Sequence, residues 1–92
     1  MKHPKNVEGY TGTIQELVEE ISRMDYSAQV EFLTYYGQAL KNQSEGDKNR
    51  VSLKDKSKNR IQLASKLEQT SQSIFLARDN MISVEKICKP YT

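Results

Sequence analysis

The feature that most constrains this chain is an apolar stripe in its C-terminal half. Leu63, Leu67, Thr70, Ile74, Ala77, Met81, Val84 and Cys88 follow one another in alternating steps of three and four. That is the spacing of a seam between packed helices, as in a coiled coil. Ser52-Leu53-Lys54-Asp55 has the form of a capping box with Asp in place of the usual Glu. At the other end, Pro90 disfavours helix at Lys89. The pattern predicts one helix over 52–88, about 55 Å long at 1.5 Å per residue. A spherical domain of 92 residues would be only about 32 Å across. The fold should therefore be elongated, with at least one other helix laid along the long one.

Upstream, Thr13-Ile14-Gln15-Glu16 is a capping box in which the Thr hydroxyl and the Glu carboxylate satisfy each other's backbone amides. Ile14, Leu17, Val18, Ile21 and Met24 follow at helical spacing, which predicts a helix over 13–23. Asp25 and Ser27 are both good N-cap residues, so a corner at 24–27 is preferred, with a second helix over 27–44. Gly46 then suits the left-handed residue that ends many helices. The alternative is a two-helix hairpin in which 13–44 is continuous, since no Gly or Pro breaks the chain at the corner. The expected fold class is all-α, an elongated antiparallel helical bundle with its first two helices folded back along the third. Residues 1–12, with Pro4, Gly9 and Gly12, read as a flexible arm whose Val7 and Tyr10 could dock on a neighbouring surface. Residues 13–89 form the single helical domain, and 90–92 form a tail.

Two stretches of the long helix bear on packing. Residues 68–73 (Glu-Gln-Thr-Ser-Gln-Ser) are wholly polar. If the turn centres near Lys48, the 24–27 corner falls opposite 69–72, where the core would thin out. By contrast, Ile74, Phe75, Leu76, Ala77, Met81, Ile82, Val84 and Ile87 are apolar around most of the helix circumference. One amphipathic neighbour cannot cover that; the first helix should cover one side and leave the rest as a contact with the arm or with a second subunit. Of the tyrosines, Tyr36 is expected in the core and Tyr35 at an edge, since adjacent helical residues point about 100° apart.

Composition narrows the function classes. With 36% hydrophobic residues the core is lean, and small lean domains commonly supplement their core by oligomerising. One cysteine, Cys88, allows no internal disulfide and suits a reducing compartment. Neither the start of the chain nor any later stretch has the apolar run of a signal peptide or membrane span. The expected setting is cytoplasmic, with no membrane partner. His3, the sole histidine, lies in the arm, and there is no Gly-rich phosphate loop or metal-spaced Cys/His cluster. No catalytic residue, metal or cofactor is expected, and Cys88, despite Lys86 and Lys89 beside it, reads as a small buried hydrophobe.

Charge is uneven. Residues 8–31 carry a net −5 and residues 48–60 a net +5, the latter from Lys48, Arg50, Lys54, Lys56, Lys58 and Arg60 against Asp55. A basic cluster of this kind suits nucleic acid or an acidic protein, although a solvated helix start and loop is the more ordinary explanation. A further reading has the basic end of one subunit meeting the acidic end of another in an antiparallel dimer. A helix-turn-helix at the corner is disfavoured, because the following helix offers only Lys41 as a cation among its exposed positions. The function expected from the chain is a non-catalytic interaction or assembly module that self-associates as a homodimer. Its candidate contact residues are Ile74, Phe75, Leu76, Ile82, Ile87 and the exposed Tyr35. A small nucleic-acid-associated regulator using 48–60 is the alternative.

Overall fold

The computed structural model describes residues 4–5, 7–50 and 58–91, with backbone alone at 48–50, 58–60 and 91. Three α-helices and a short 3-10 turn make up the described chain: α1 (Ile14–Ser22), α2 (Tyr26–Arg50), α3 (Lys58–Cys88) and the turn at Lys89–Tyr91. No strand occurs among the described residues. The protein is an all-α, elongated bundle, 58 × 31 × 14 Å, in which α2 and α3 pack against each other.

The capping box of α1 is complete: the Glu16 amide donates to Thr13 Oγ1 at 3.1 Å, and the Thr13 amide donates to Glu16 Oε1 at 3.2 Å. The corner is real as well. Helix α1 ends at Ser22, and Asp25 opens α2 by accepting the Ala28 amide on its carboxylate at 2.8 Å. Gln29 ties the corner shut, its amide nitrogen donating to the Ser22 and Met24 carbonyls at 3.1 and 2.8 Å.

Two boundaries differ from expectation. Helix α2 runs on through Gly46 to Arg50 instead of ending near 44, and the only described glycine with positive φ is Gly9. Gly46 is a helix-interior residue here, a position that costs roughly 1 kcal/mol against Ala but does not end a helix by itself. Helix α3 is described from Lys58; the capping box expected at 52–55 lies outside the described residues.

The longer α2 moves the turn and so changes which residues face each other. Ser44 Oγ donates to the Ala64 carbonyl and Ser71 Oγ to the Gly37 carbonyl, both at 2.7 Å. The 24–27 corner consequently lies by the C-terminal end of α3, where Asp25, Tyr26 and Ser27 share a cleft with Glu85, Cys88 and Lys89, and not opposite 69–72. The polar stretch 68–73 is one of the places where the helices come closest, and not a thinning of the core. Its hydroxyls are satisfied internally: Ser71 bonds across to α2, while Thr70 and Ser73 bond back to the carbonyls of Lys66 and Gln69.

Apart from Leu40, the buried residues of this seam are small: Gly37 and Ser44 on α2, and Ala64 and Ser71 on α3. Phe75 closes over Gly37 so tightly that a Cβ there would stand 2.8 Å from the ring's Cε1. The seam on α3 thus lies one residue beyond the expected line. Ala64 and Ser71 point inward, and Leu63 and Thr70 are exposed. Tyr36 is likewise not in the core but on its flank, nearly half exposed and 5.9 Å from Phe32 between ring centroids.

Helix α1 does not fold back along α3 as expected. It has no buried residue and no packing comparable to that between the long helices. Leu17 and Ile21 are half-buried, but Ile14 and Val18 on the same apolar side are exposed. Ahead of it, the arm turns at Gly9, with the Tyr10 amide bonded to the Val7 carbonyl at 3.1 Å. The Tyr10 ring lies over Gly12. Desolvation, and then the Glu20 and Glu16 carboxylates, raise its phenol above the ordinary value.

Candidate functional site

Two sets of residues were expected to carry function, and the fold treats them differently. The apolar candidates on α3 do not form one patch. With Ala64 and Ser71 marking the seam, the 100° step per residue puts Ile74 on one shoulder of α3 and Phe75 and Ile82 close to the seam itself. Leu76 and Ile87 point away from α2, 63% and 68% exposed. Tyr35 points away from α3 and is 69% exposed. Phe75 belongs to the hairpin itself, its ring held between Gly37 and the Arg78 guanidinium, which lies 4.9 Å from the ring centroid. Arg78 is in turn held by Asp79 at 3.0 Å.

What the fold does assemble is a face built from residues that were expected in the core and the helix–helix seam. Tyr36 precedes Gly37 and Leu63 precedes Ala64, so each stands about 100° off the seam of its own helix. Because α2 and α3 are antiparallel, these two flanks turn to the same side of the hairpin. Phe32 and Tyr36 come to this side from α2, and Leu63, Ile74, Ala77 and Met81 from α3. Phe32, Tyr36 and Leu63 are exposed, while Ile74, Ala77 and Met81 are half-buried. The stripe that reads as a helix–helix seam is therefore present, but α2 occupies only its edge. The signal that could have revealed this is the spacing of small residues, Gly37 to Ser44 and Ala64 to Ser71, at seven-residue steps on both helices.

Of the basic cluster, Lys54 and Lys56 lie outside the described residues, while Lys48, Arg50, Lys58 and Arg60 are described by backbone alone. The first two of these four end α2 and the other two begin α3. At the opposite end, Asp25, Tyr26, Ser27, Glu85, Cys88 and Lys89 line an open cleft of about 330 Å³, where Cys88 is half-buried. Among the described residues, no group of three His, Cys, Asp or Glu side chains could hold a metal ion. No described helix is long and apolar enough to cross a membrane. No protein-family model, curated protein or solved structure matches the chain.

Proposed function

We propose that the protein is a non-catalytic interaction module that self-associates, as a homodimer, through helical packing. The observation that carries this reading is its exposed surface. The chain exposes 7849 Å² for a mass of 10.6 kDa, where a folded monomer of that mass exposes about 5,500 Å². Two such chains carry roughly 4,700 Å² of excess between them, within the range of about 2,000–5,000 Å² that obligate homodimers remove from water in total. The excess includes large apolar side chains on one side of the hairpin, and burying such area is the main driving force for association. Two long helices joined at one end offer little more internal burial, so a second molecule is the available source.

Mass by light scattering across a concentration series tests the proposal. The expected result is a rise from about 11 kDa to about 21 kDa, twice the chain mass. A mass that stays at one chain up to millimolar protein, with helicity intact, would overturn it.

A further inference from the structure

Two apolar surfaces of this chain lie open, and they match in length. Around α1, Ile14, Leu17, Val18 and Ile21 fall within about 100° of one another, with Glu16 and Glu19 on the opposite side. Ile14 and Val18 are 71% and 58% exposed. On the hairpin, the apolar flank shared by α2 and α3 is a groove of defined extent. The serine bonds set Ser44 level with Ala64 and Gly37 level with Ser71. Ile74 therefore stands level with Thr34, and Met81 with Ser27. The apolar run from Met81 through Ala77, Phe32 and Ile74 to Tyr36 rises about 13.5 Å along the axis. Toward the turn, the exposed Gln43 and Thr70 interrupt it ahead of Leu63. Helix α1 has nine residues and so the same length, about 13.5 Å. A helical stripe at i, i+3, i+4 and i+7 is the shape that such a groove accepts.

The hairpin of the same chain does not receive this helix. The molecule is 31 Å across in its second dimension, where two packed helices alone span about 14 Å over Cα atoms, so α1 and the arm stand out from it. The corner holds them there, with Gln29 bonded to the Ser22 and Met24 carbonyls and Asp25 to the Ala28 amide. Folding α1 back onto its own groove would swing the Ser22 carbonyl away from Gln29. We infer that α1 of each chain lies in the groove of a second copy, which returns its own α1, so that two chains exchange their first helices about a two-fold axis. Exchange of an identical element is a low-cost route to a dimer. Each chain has one helix to give and one groove to fill, so assembly closes at two. The surplus surface of the single chain includes both parts, and exchange buries each of them twice per dimer. The inference rests on the self-association proposed above and adds the surfaces that meet. In the dissociated chain α1 keeps only its own cap.

Light scattering on variants of the full chain tests which surfaces meet. Ile14→Glu and Val18→Glu should each raise the dimer's dissociation constant about tenfold or more, because each sets a carboxylate in an apolar groove. Neither should lower helicity by circular dichroism, since Glu is a good helix former. Phe32→Glu and Tyr36→Glu should act alike from the groove side. Tyr35→Glu and Leu76→Glu, on the outward sides, should change the constant less than about threefold, as exposed substitutions do. If the groove variants weaken the dimer and the α1 variants do not, the hairpins meet directly; exchange is then overturned while self-association stands. Cross-linking separates exchange from folding back. Val18 and Phe32 stand at the middle of their runs, so the pair meets whichever way the helix lies. A chain carrying Val18→Cys and Phe32→Cys, with Cys88→Ser, should on oxidation run at twice the chain mass or more under denaturing, non-reducing conditions. Linkage within one chain, or none, overturns the inference. A chain that is monomeric under every condition removes the self-association reading together with this one.

Discussion

Gly37 and Gly46 lie nine positions apart on α2 and make opposite demands on it. At 46 a Cβ would meet nothing within 4 Å, and φ is not positive. Gly46→Ala should therefore stabilise the protein by up to about 1 kcal/mol, the difference in helix propensity. At 37 the same methyl would run into the Phe75 ring, with three of its carbons between 2.8 and 3.1 Å. The ring cannot swing freely, since Arg78 lies against it. Overpacking of this kind costs about 1–3 kcal/mol, so Gly37→Ala should be a net loss of roughly 1 kcal/mol despite the better helix former. Thermal melts read both: about 4–8 °C per kcal/mol in a domain of this size, upward for position 46 and downward for 37. A second substitution, Phe75→Leu, should recover part of the loss at 37, and no recovery would mean that the contact is not its source. Ser71→Leu should be worse than Gly37→Ala, by roughly 3 kcal/mol in total, because it both overfills the seam and removes the bond to the Gly37 carbonyl.

At the scale of elements, α1 and the hairpin of the dissociated chain should melt separately. The capping box holds α1 from within, and nothing comparable holds it against α2 or α3. Thr13→Ala should cost α1 about 1 kcal/mol and leave the main transition where it was. Hydrogen exchange should show faster amides at 14–22 and unchanged ones at 37–44; a shift of the main transition would mean that α1 is packed after all. The parts of this architecture legible in the sequence are those governed by local chemistry. Thr13 with Glu16, and Asp25 ahead of α2, are caps whose partners lie three residues away, so the sequence contains both halves of each interaction. The end of α2 was not legible, because Gly46 is equally consistent with a terminus and an interior until its φ is known. Nor was the seam. Serine counts as polar in any hydrophobic period, and Ser44 and Ser71 become interior only when a carbonyl of the other helix takes their hydroxyls. That error of one residue on α3 is what hid the exposed face, since a stripe read as the seam itself is not counted among the surfaces left over for a partner.

As a whole, the molecule is thin for its mass, with a radius of gyration of 16.7 Å over Cα atoms where a compact chain of this length would have about 12 Å. X-ray scattering extrapolated to dilution below dimer dissociation should return about 17 Å for the monomer. A value near 12 Å would mean that the long hairpin itself does not persist in the single chain, since α3 alone, a rod of 31 residues and about 46 Å, has a larger radius of gyration. The two serine bonds have a mechanical consequence as well. Ser44 and Ser71 each reach a carbonyl on the facing helix, about ten and a half ångströms apart along the axis, and Gly37, which accepts the Ser71 bond, also receives the Phe75 ring. The joint is keyed. Sliding one helix lengthwise past the other must break both bonds and drive the ring out of its notch in a single step, whereas prying the helices apart from the corner end breaks them one after the other. A pull along the axis, applied at opposite ends of α2 and α3, should therefore meet much higher resistance than a pull across it.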